Sequence, residues 1–224
     1  MSARVEQQKW AVLIMMRENA PGCTRLDRER LDADLFEVSV ALGGFSNSIS
    51  HGTPEERFAA LAALVWLGDR RGISPLIRAL RDPLWTVRQE ALHGLRSFEP
   101  LPHWVVSSLD RAARDTEPAV RSQAMHTLAC APHPESLRPL VRALDDRLRG
   151  VRLRAARALT DLGDAGLRAR AVAHRLLRVI EEDADPWIAR AAFRGVRAQG
   201  GSIRDARLQA ALRWSGHPLW LGYL

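Results

Sequence analysis

Lysine is almost missing from this chain: Lys9 is the one lysine among 33 basic residues, and the rest are arginine. Tyrosine occurs once and phenylalanine five times, which leaves the seven tryptophans as the conspicuous aromatics. The two cysteines, Cys23 and Cys130, are isolated, with no CxxC pair and no framework spacing. A disulfide scaffold is thereby excluded, and reduced thiols in a cytoplasmic protein are expected. Long apolar runs are missing too. The stretch Trp10 to Met16 ends at Arg17, well short of the ~20 residues that span a bilayer, and no small-residue cleavage site follows it. Period-2 alternation with β-branched runs is absent, so no strands are expected. There is no glycine-rich phosphate cradle, and neither cysteine has a visible His/Asp setting. No catalytic constellation names a reaction, and no cofactor is implied.

What the chain has is periodicity. In Asp82-Pro83-Leu84-Trp85-Thr86-Val87-Arg88, an acid precedes an arginine by six residues, and Ala91, Leu92 and Leu95 follow at +3, +4 and +7. Asp115 and Arg121 lead in the same way to Ala124, Met125 and Leu128, and Asp146 and Arg152 to Ala155, Ala156 and Leu159. An earlier copy keeps Arg57, Ala60, Leu61 and Leu64 but has His51 in place of the acid. A degenerate one runs from Asp183 through Ala189 to Ala192, Phe193 and Val196. The anchors lie 31, 33, 31 and 37 residues apart. A fixed period of this size marks units that cannot bury their apolar faces singly and so stack into one body. With 46% apolar residues the chain can build a sizeable core.

Taken in order, residues 1–51 stand outside the repeat and form an expected N-terminal helical cap, since the end of a stack must cover its exposed core face. Within it, helices are expected over Val5 to Glu18 and Asp27 to Leu42, followed by a loop at Gly43-Gly44-Phe45-Ser46-Asn47-Ser48. Thr53-Pro54-Glu55-Glu56 opens the first full unit as a capping box with proline in the first turn. Leu67-Gly68-Asp69 closes that helix, and Leu162-Gly163-Asp164 is expected to close its counterpart later in the chain. A second helix follows each first one, as in Ile73 to Leu80 and its echo Pro139 to Leu144. A long helix is expected from Leu167 to Glu182. Residues 52–214 are read as about five two-helix units, and 215–224 as an apolar tail that caps the last unit, all one continuous domain.

These marks resemble the HEAT-like repeat family, in particular the short repeats first noted in phycobilisome lyases. Val87, Val120 and Val151 directly precede the motif arginines, and the period is shorter than the ~40–47 residues of ordinary HEAT or armadillo units. The tetratricopeptide and ankyrin signatures are missing. The resemblance implies an all-α fold, an α-solenoid of helix pairs with a helical cap. It also implies that Asp82, Arg88, Asp115, Arg121, Asp146 and Arg152 form a structural ladder between units, the acid capping a helix start and the guanidinium bridging the seam. Ala189 interrupts that series, which puts the seam between the fourth and fifth units in question. A bilin-attaching lyase activity would rest on the subfamily name alone.

Several features are candidates for partner binding. Arg78, Arg111, Arg142 and Arg178 sit near-equivalently on the second (B) helices, which line the concave surface of HEAT-like solenoids. A basic groove of this kind suits an acidic protein segment or a phosphate backbone. Asp110, Asp145, Glu181 and Glu182 on the same helix ends could instead neutralise it. Trp85 and Trp187 lie at the starts of first (A) helices, where an exposed tryptophan is a favoured interface anchor. Trp66 and Trp104 are expected to cover their own units. The stretch Asp185 to Ala192, with Trp187 and Arg190, is similar to one in the HEAT-like alkylpurine DNA glycosylases, but the Trp-Trp-Asp type motif of that family, with its acid, has no counterpart here. His93 and His126 occupy one A-helix position in successive units, yet Ala62, Arg157 and Arg194 fill the others, so no metal site is expected. The net charge of +7 raises the prospect of a polyanionic partner; an Ala- and Arg-rich bacterial composition gives the same charge without a selected patch. The expectation is a non-enzymatic interaction module or accessory subunit with a protein partner. Nucleic-acid binding is the alternative.

Overall fold

The structure, a computed structural model, describes residues 28–202, with side chains from residue 40, together with residues 204–206, 210 and 217. The expected helix at Val5 to Glu18 lies outside the described residues, and so does the C-terminal tail apart from His217. Every regular element among the described residues is helical. They form two compact units, Met1–Phe98 and Glu99–Leu224.

In the first unit, α1 (Arg28–His51) packs on α2 (Pro54–Leu67) and α3 (Ile73–Ala79), and α2 and α3 both pack on α4 (Trp85–Leu95). Helix α2 begins as its sequence dictates. Thr53 accepts a hydrogen bond from the Glu56 amide, and the Glu56 side chain accepts one from the Thr53 amide. At its end Gly68 adopts φ +67°, the left-handed conformation that costs glycine little.

Helix α1 departs from expectation. It continues through Gly43-Gly44-Phe45-Ser46-Asn47-Ser48, where a loop was expected. The reason lies in the next turn of side chains: Leu42, Phe45 and Ile49 are spaced on one helical face and all three are buried. That apolar stripe outweighs the ~1 kcal/mol by which each glycine disfavours a helix interior.

In the second unit the helices fall into two layers. The A helices are α6 (Pro118–Ala129), α8 (Arg149–Asp164) and α10 (Pro186–Ala198). The B helices are α5 (Val106–Ala112), α7 (Pro134–Ala143) and α9 (Arg170–Glu182). Neighbours pack within each layer, α6 on α8 on α10 and α5 on α7 on α9, and α5, α7 and α9 also pack on the A helices. The +3, +4 and +7 positions after each anchor are buried in all five copies, from Ala60, Leu61 and Leu64 to Ala192, Phe193 and Val196. Alanine at +3 lets neighbouring helices approach closely, and the larger residues fill the space between layers.

The fourth repeat is longer because α8 does not close at Leu162 with a left-handed Gly163, as α2 closes at Leu67 with Gly68. It runs to Asp164, and the left-handed residue is Gly166, at φ +94°. Gly163 has another role: a Cβ there would lie 2.8 Å from the backbone of Ala198. It is a contact point between α8 and the end of α10. Beside it, Gln199 is 1% exposed and ties three segments together. Its Nε2 donates to the Leu159 carbonyl at 2.6 Å, and its Oε1 accepts from the Ala169 amide at 2.9 Å. The loop thus held moves the start of α9 to Arg170, later than the expected Leu167.

Candidate interaction surfaces

The motif arginines are anchored from two directions. Arg121 Nε and Nη2 donate to Asp146 at 2.7 and 3.1 Å, while Nη1 donates to the carbonyls of Asp115 and Thr116 at 2.9 and 3.0 Å. Arg152 repeats the arrangement with Asp183, at 2.7 and 3.4 Å, and with the Asp146 carbonyl at 3.1 Å. In the first unit Arg57 pairs with Asp82 at 2.6 Å and donates to the Gly52 carbonyl at 2.8 Å. Arg88 donates to the carbonyls of Asp82 and Pro83 at 2.8 and 3.1 Å. Each arginine therefore holds the loop before its own helix, and Arg57, Arg121 and Arg152 also reach the acid before the next A helix.

The acids do not cap helices, as the resemblance implied. Asp82, Asp115, Asp146 and Asp183 accept from the amide two residues on, that of Leu84, Glu117, Leu148 and Asp185, at 2.8 to 2.9 Å. They close Asx turns one residue ahead of the helix. The helix N-caps are Leu84, Glu117 and Leu148, without side-chain cap bonds. Burial pushes the Asp146 carboxyl upward, but the Arg121 hydrogen bond, the Leu148 amide and attraction to Arg121 and Arg147 outweigh it, so its pKa lies below the ordinary value.

The seam between the fourth and fifth repeats, placed in question by Ala189, is bridged twice. Arg152 meets Asp183, and Arg149 meets Asp185. Since these rungs are donated forward, Ala189 leaves the ones before the fifth repeat intact.

The B-helix arginines are unlike one another. All four candidates are exposed. Arg78 donates to the Ser46 hydroxyl. Arg142 donates to Asp110 of the preceding B helix at 2.6 Å, Asp110 also pairs with Arg114, and Arg175 pairs with Asp145. This second set of rungs runs backward, opposite in sense to the A-layer set. Part of the expected basic groove is thus neutralised by stacking contacts, leaving Arg111 and Arg178 as the more accessible cations of α5 and α9.

Tryptophan exposure departs from expectation at two positions. Trp66 and Trp104 are 43% and 47% exposed, level with Trp85 at 42% and Trp187 at 46%. None is covered by its own repeat. Trp187 borders a cleft of about 350 Å³ between α8 and α10, lined also by Arg157, Thr160, Asp161, Arg190 and Arg194. Asp161 is an acid beside Trp187 and Arg190 that the linear sequence did not reveal, because it comes from the neighbouring helix. Its carboxyl is pushed above the ordinary pKa, first by burial and then by Asp164, against the pull of His126, Arg194 and Arg157. His126 approaches Arg154 at 3.3 Å. No cluster of three or more metal-ligating side chains exists among the described residues, and no helix among them is long and apolar enough to cross a membrane.

Two layers of stacked helix pairs, cross-linked by arginine–aspartate rungs, define an α-solenoid repeat protein. The chain carries HEAT-like repeats: residues 107–197 match the HEAT repeats description and residues 56–82 the PBS lyase HEAT-like repeat. No curated protein matches significantly. Among solved structures, the chain is similar to an engineered protein (17% identity, 92% of this chain and 94% of that one, TM-score 0.56). It is similar to a designed armadillo repeat protein in complex with the peptide (KR)4 (17% identity, 88% and 100%, TM-score 0.56). It also resembles the CpcE–CpcF complex of phycocyanin lyase from Nostoc sp. PCC7120 (21% identity, 72% and 99%, TM-score 0.55). At these identities the likeness is one of fold.

Proposed function

We propose that this chain is a non-enzymatic interaction module, a scaffold or accessory subunit that takes a protein partner on the face of its B helices. The observation that carries this reading is the B layer of the second unit. There α5, α7 and α9 pack in sequence and carry Arg111, Arg142 and Arg178 at the surface, with Arg142 already oriented by Asp110. Arg111 and Arg178, exposed on that face, suit the carboxylates of an acidic protein segment. Two of the related folds were solved as complexes, one with a peptide and one of CpcE with CpcF, which supports the reading by analogy of fold.

The test is affinity capture of the full chain from cells that express it, with and without nuclease, beside the variant Arg111→Glu/Arg178→Glu. Arg142 is left alone, because reversing it would break a stacking rung. A protein partner that survives nuclease and is lost in the variant supports the proposal. Capture abolished by nuclease would favour the nucleic-acid alternative, and a partner retained by the variant would remove the B face.

A further inference from the structure

The geometry points to a second binding site, on the A layer: the cleft between α8 and α10 holds the carboxylate-bearing segment of an acidic protein partner, with an aromatic or apolar neighbour of that carboxylate lying on Trp187. It stands apart from the B face.

Helical spacing builds the site. On α10, Trp187, Arg190, Ala191 and Arg194 recur at i, i+3, i+4 and i+7, and on α8 Arg157, Thr160 and Asp161 recur at i, i+3 and i+4. These two stripes face one another across about 350 Å³, the lower end of the range for ligand clefts. Their position is fixed from below. Arg149 and Arg152 bridge the start of α8 to Asp185 and Asp183 ahead of α10, and Asp185 caps α10 through the Trp187 amide at 2.8 Å. Gly163 and Gln199 clamp the other end.

The chemistry selects the occupant. Two exposed guanidiniums, Arg157 and Arg194, outnumber the one carboxylate of the lining, Asp161, and an arginine fork matches a carboxylate with two parallel hydrogen bonds. Trp187, 46% exposed at the border of that charge, offers a large flat apolar surface of the kind that anchors interfaces. A nucleic-acid backbone fits less well. It calls for a track of cations along successive phosphates, whereas this site is compact and sets one carboxylate, Asp161, among its arginines. That same carboxylate can accept a peptide N–H or a tyrosine hydroxyl.

The test uses fluorescence anisotropy of the full chain with a labelled eight-residue peptide of Asp, Glu and Tyr. Its Asn/Gln counterpart and a single-stranded DNA octamer of mixed sequence are run beside it. We expect the acidic peptide to bind at least about tenfold more tightly than its amide counterpart, since a guanidinium fork pairs with a carboxylate and not with a neutral amide. Arg157→Gln/Arg194→Gln, two exposed positions, and separately Trp187→Ala should each weaken it by about tenfold or more, with unchanged circular dichroism. Equal binding of the amide peptide overturns the proposal. So does tighter binding of the DNA when that binding is lost in the Arg157/Arg194 variant, which would assign the cleft to nucleic acid. If Arg111→Glu/Arg178→Glu abolishes peptide binding while the cleft variants leave it intact, the cleft proposal fails and the B-face reading stands.

Discussion

Arg121 grips both carboxylate oxygens of Asp146 and, with its remaining nitrogen, two carbonyls of the loop before its own helix, although it is only 7% exposed. One side chain thus joins two successive A-helix starts. In the same repeat, Arg142 reaches backward to Asp110. The rungs of the two layers thus run in opposite senses along the chain.

Replacing Arg121 by alanine leaves Asp146 without its cation and the Asp115 and Thr116 carbonyls without a donor. The expected cost is about 3–5 kcal/mol, the usual effect of breaking a buried pair from one side, read as a lowered urea midpoint by circular dichroism. Arg71→Ala removes an exposed pair with Asp69 and is expected to leave the midpoint unchanged. Equal effects would mean that the buried rung is dispensable.

The depressed pKa of Asp146 gives acid lability a defined sign. With the folded value below the ordinary 3.8, this carboxyl binds fewer protons folded than unfolded at pH values between the two. Its contribution is therefore complete above the unfolded value and is lost as pH falls through the folded one. The gap in melting temperature between the natural chain and Asp146→Asn should be widest near neutral pH and close as pH drops below about 3.8. A gap that is constant with pH would show that the charge does not matter.

Two glycines should respond with opposite signs. Gly43 lies inside α1 with nothing within 4 Å of an added Cβ, so Gly43→Ala should stabilise by about 0.5–1 kcal/mol. Gly163 would push a Cβ against the Ala198 backbone at 2.8 Å, so Gly163→Ala should destabilise by roughly 1–3 kcal/mol. Thermal melts of both variants check the pair. Loss of stability in Gly43→Ala would restore the loop expected from sequence.

Gln199 is a buried polar residue at the end of the seam between α8 and α10. Gln199→Leu keeps the volume but strands the Ala169 amide, at an expected cost of about 1–3 kcal/mol. Hydrogen exchange at Ala169 should rise in that variant, and unchanged protection would show that another acceptor serves it.

The architecture was legible because a repeat states the same pattern five times. The +3, +4 and +7 apolar positions, the capping box at Thr53 and the left-handed Gly68 all follow from local rules. The errors fell where a local signal met a non-local contact. Gly43-Gly44 reads as a breaker, yet Phe45 and Ile49 bury themselves and carry the helix through. Leu162-Gly163-Asp164 copies a closure, yet its glycine admits the Ala198 backbone. The cleft was half visible: Trp187 and Arg190 stood out within one helix, while Arg157, Asp161 and Arg194 looked like ordinary polar positions.

The sequence by itself determined the helix-pair repeat, its period and its buried faces, because helical spacing and apolar burial are properties of neighbouring residues along one chain. Tertiary structure alone decided which arginines serve the stack and which face outward. Asp110, Asp145, Asp146 and Asp183 lie 25 to 32 residues from the guanidiniums they meet. An identical arginine is a strut where such a carboxylate arrives and a surface cation where none does, and only the packing of one repeat on the next brings the carboxylate there.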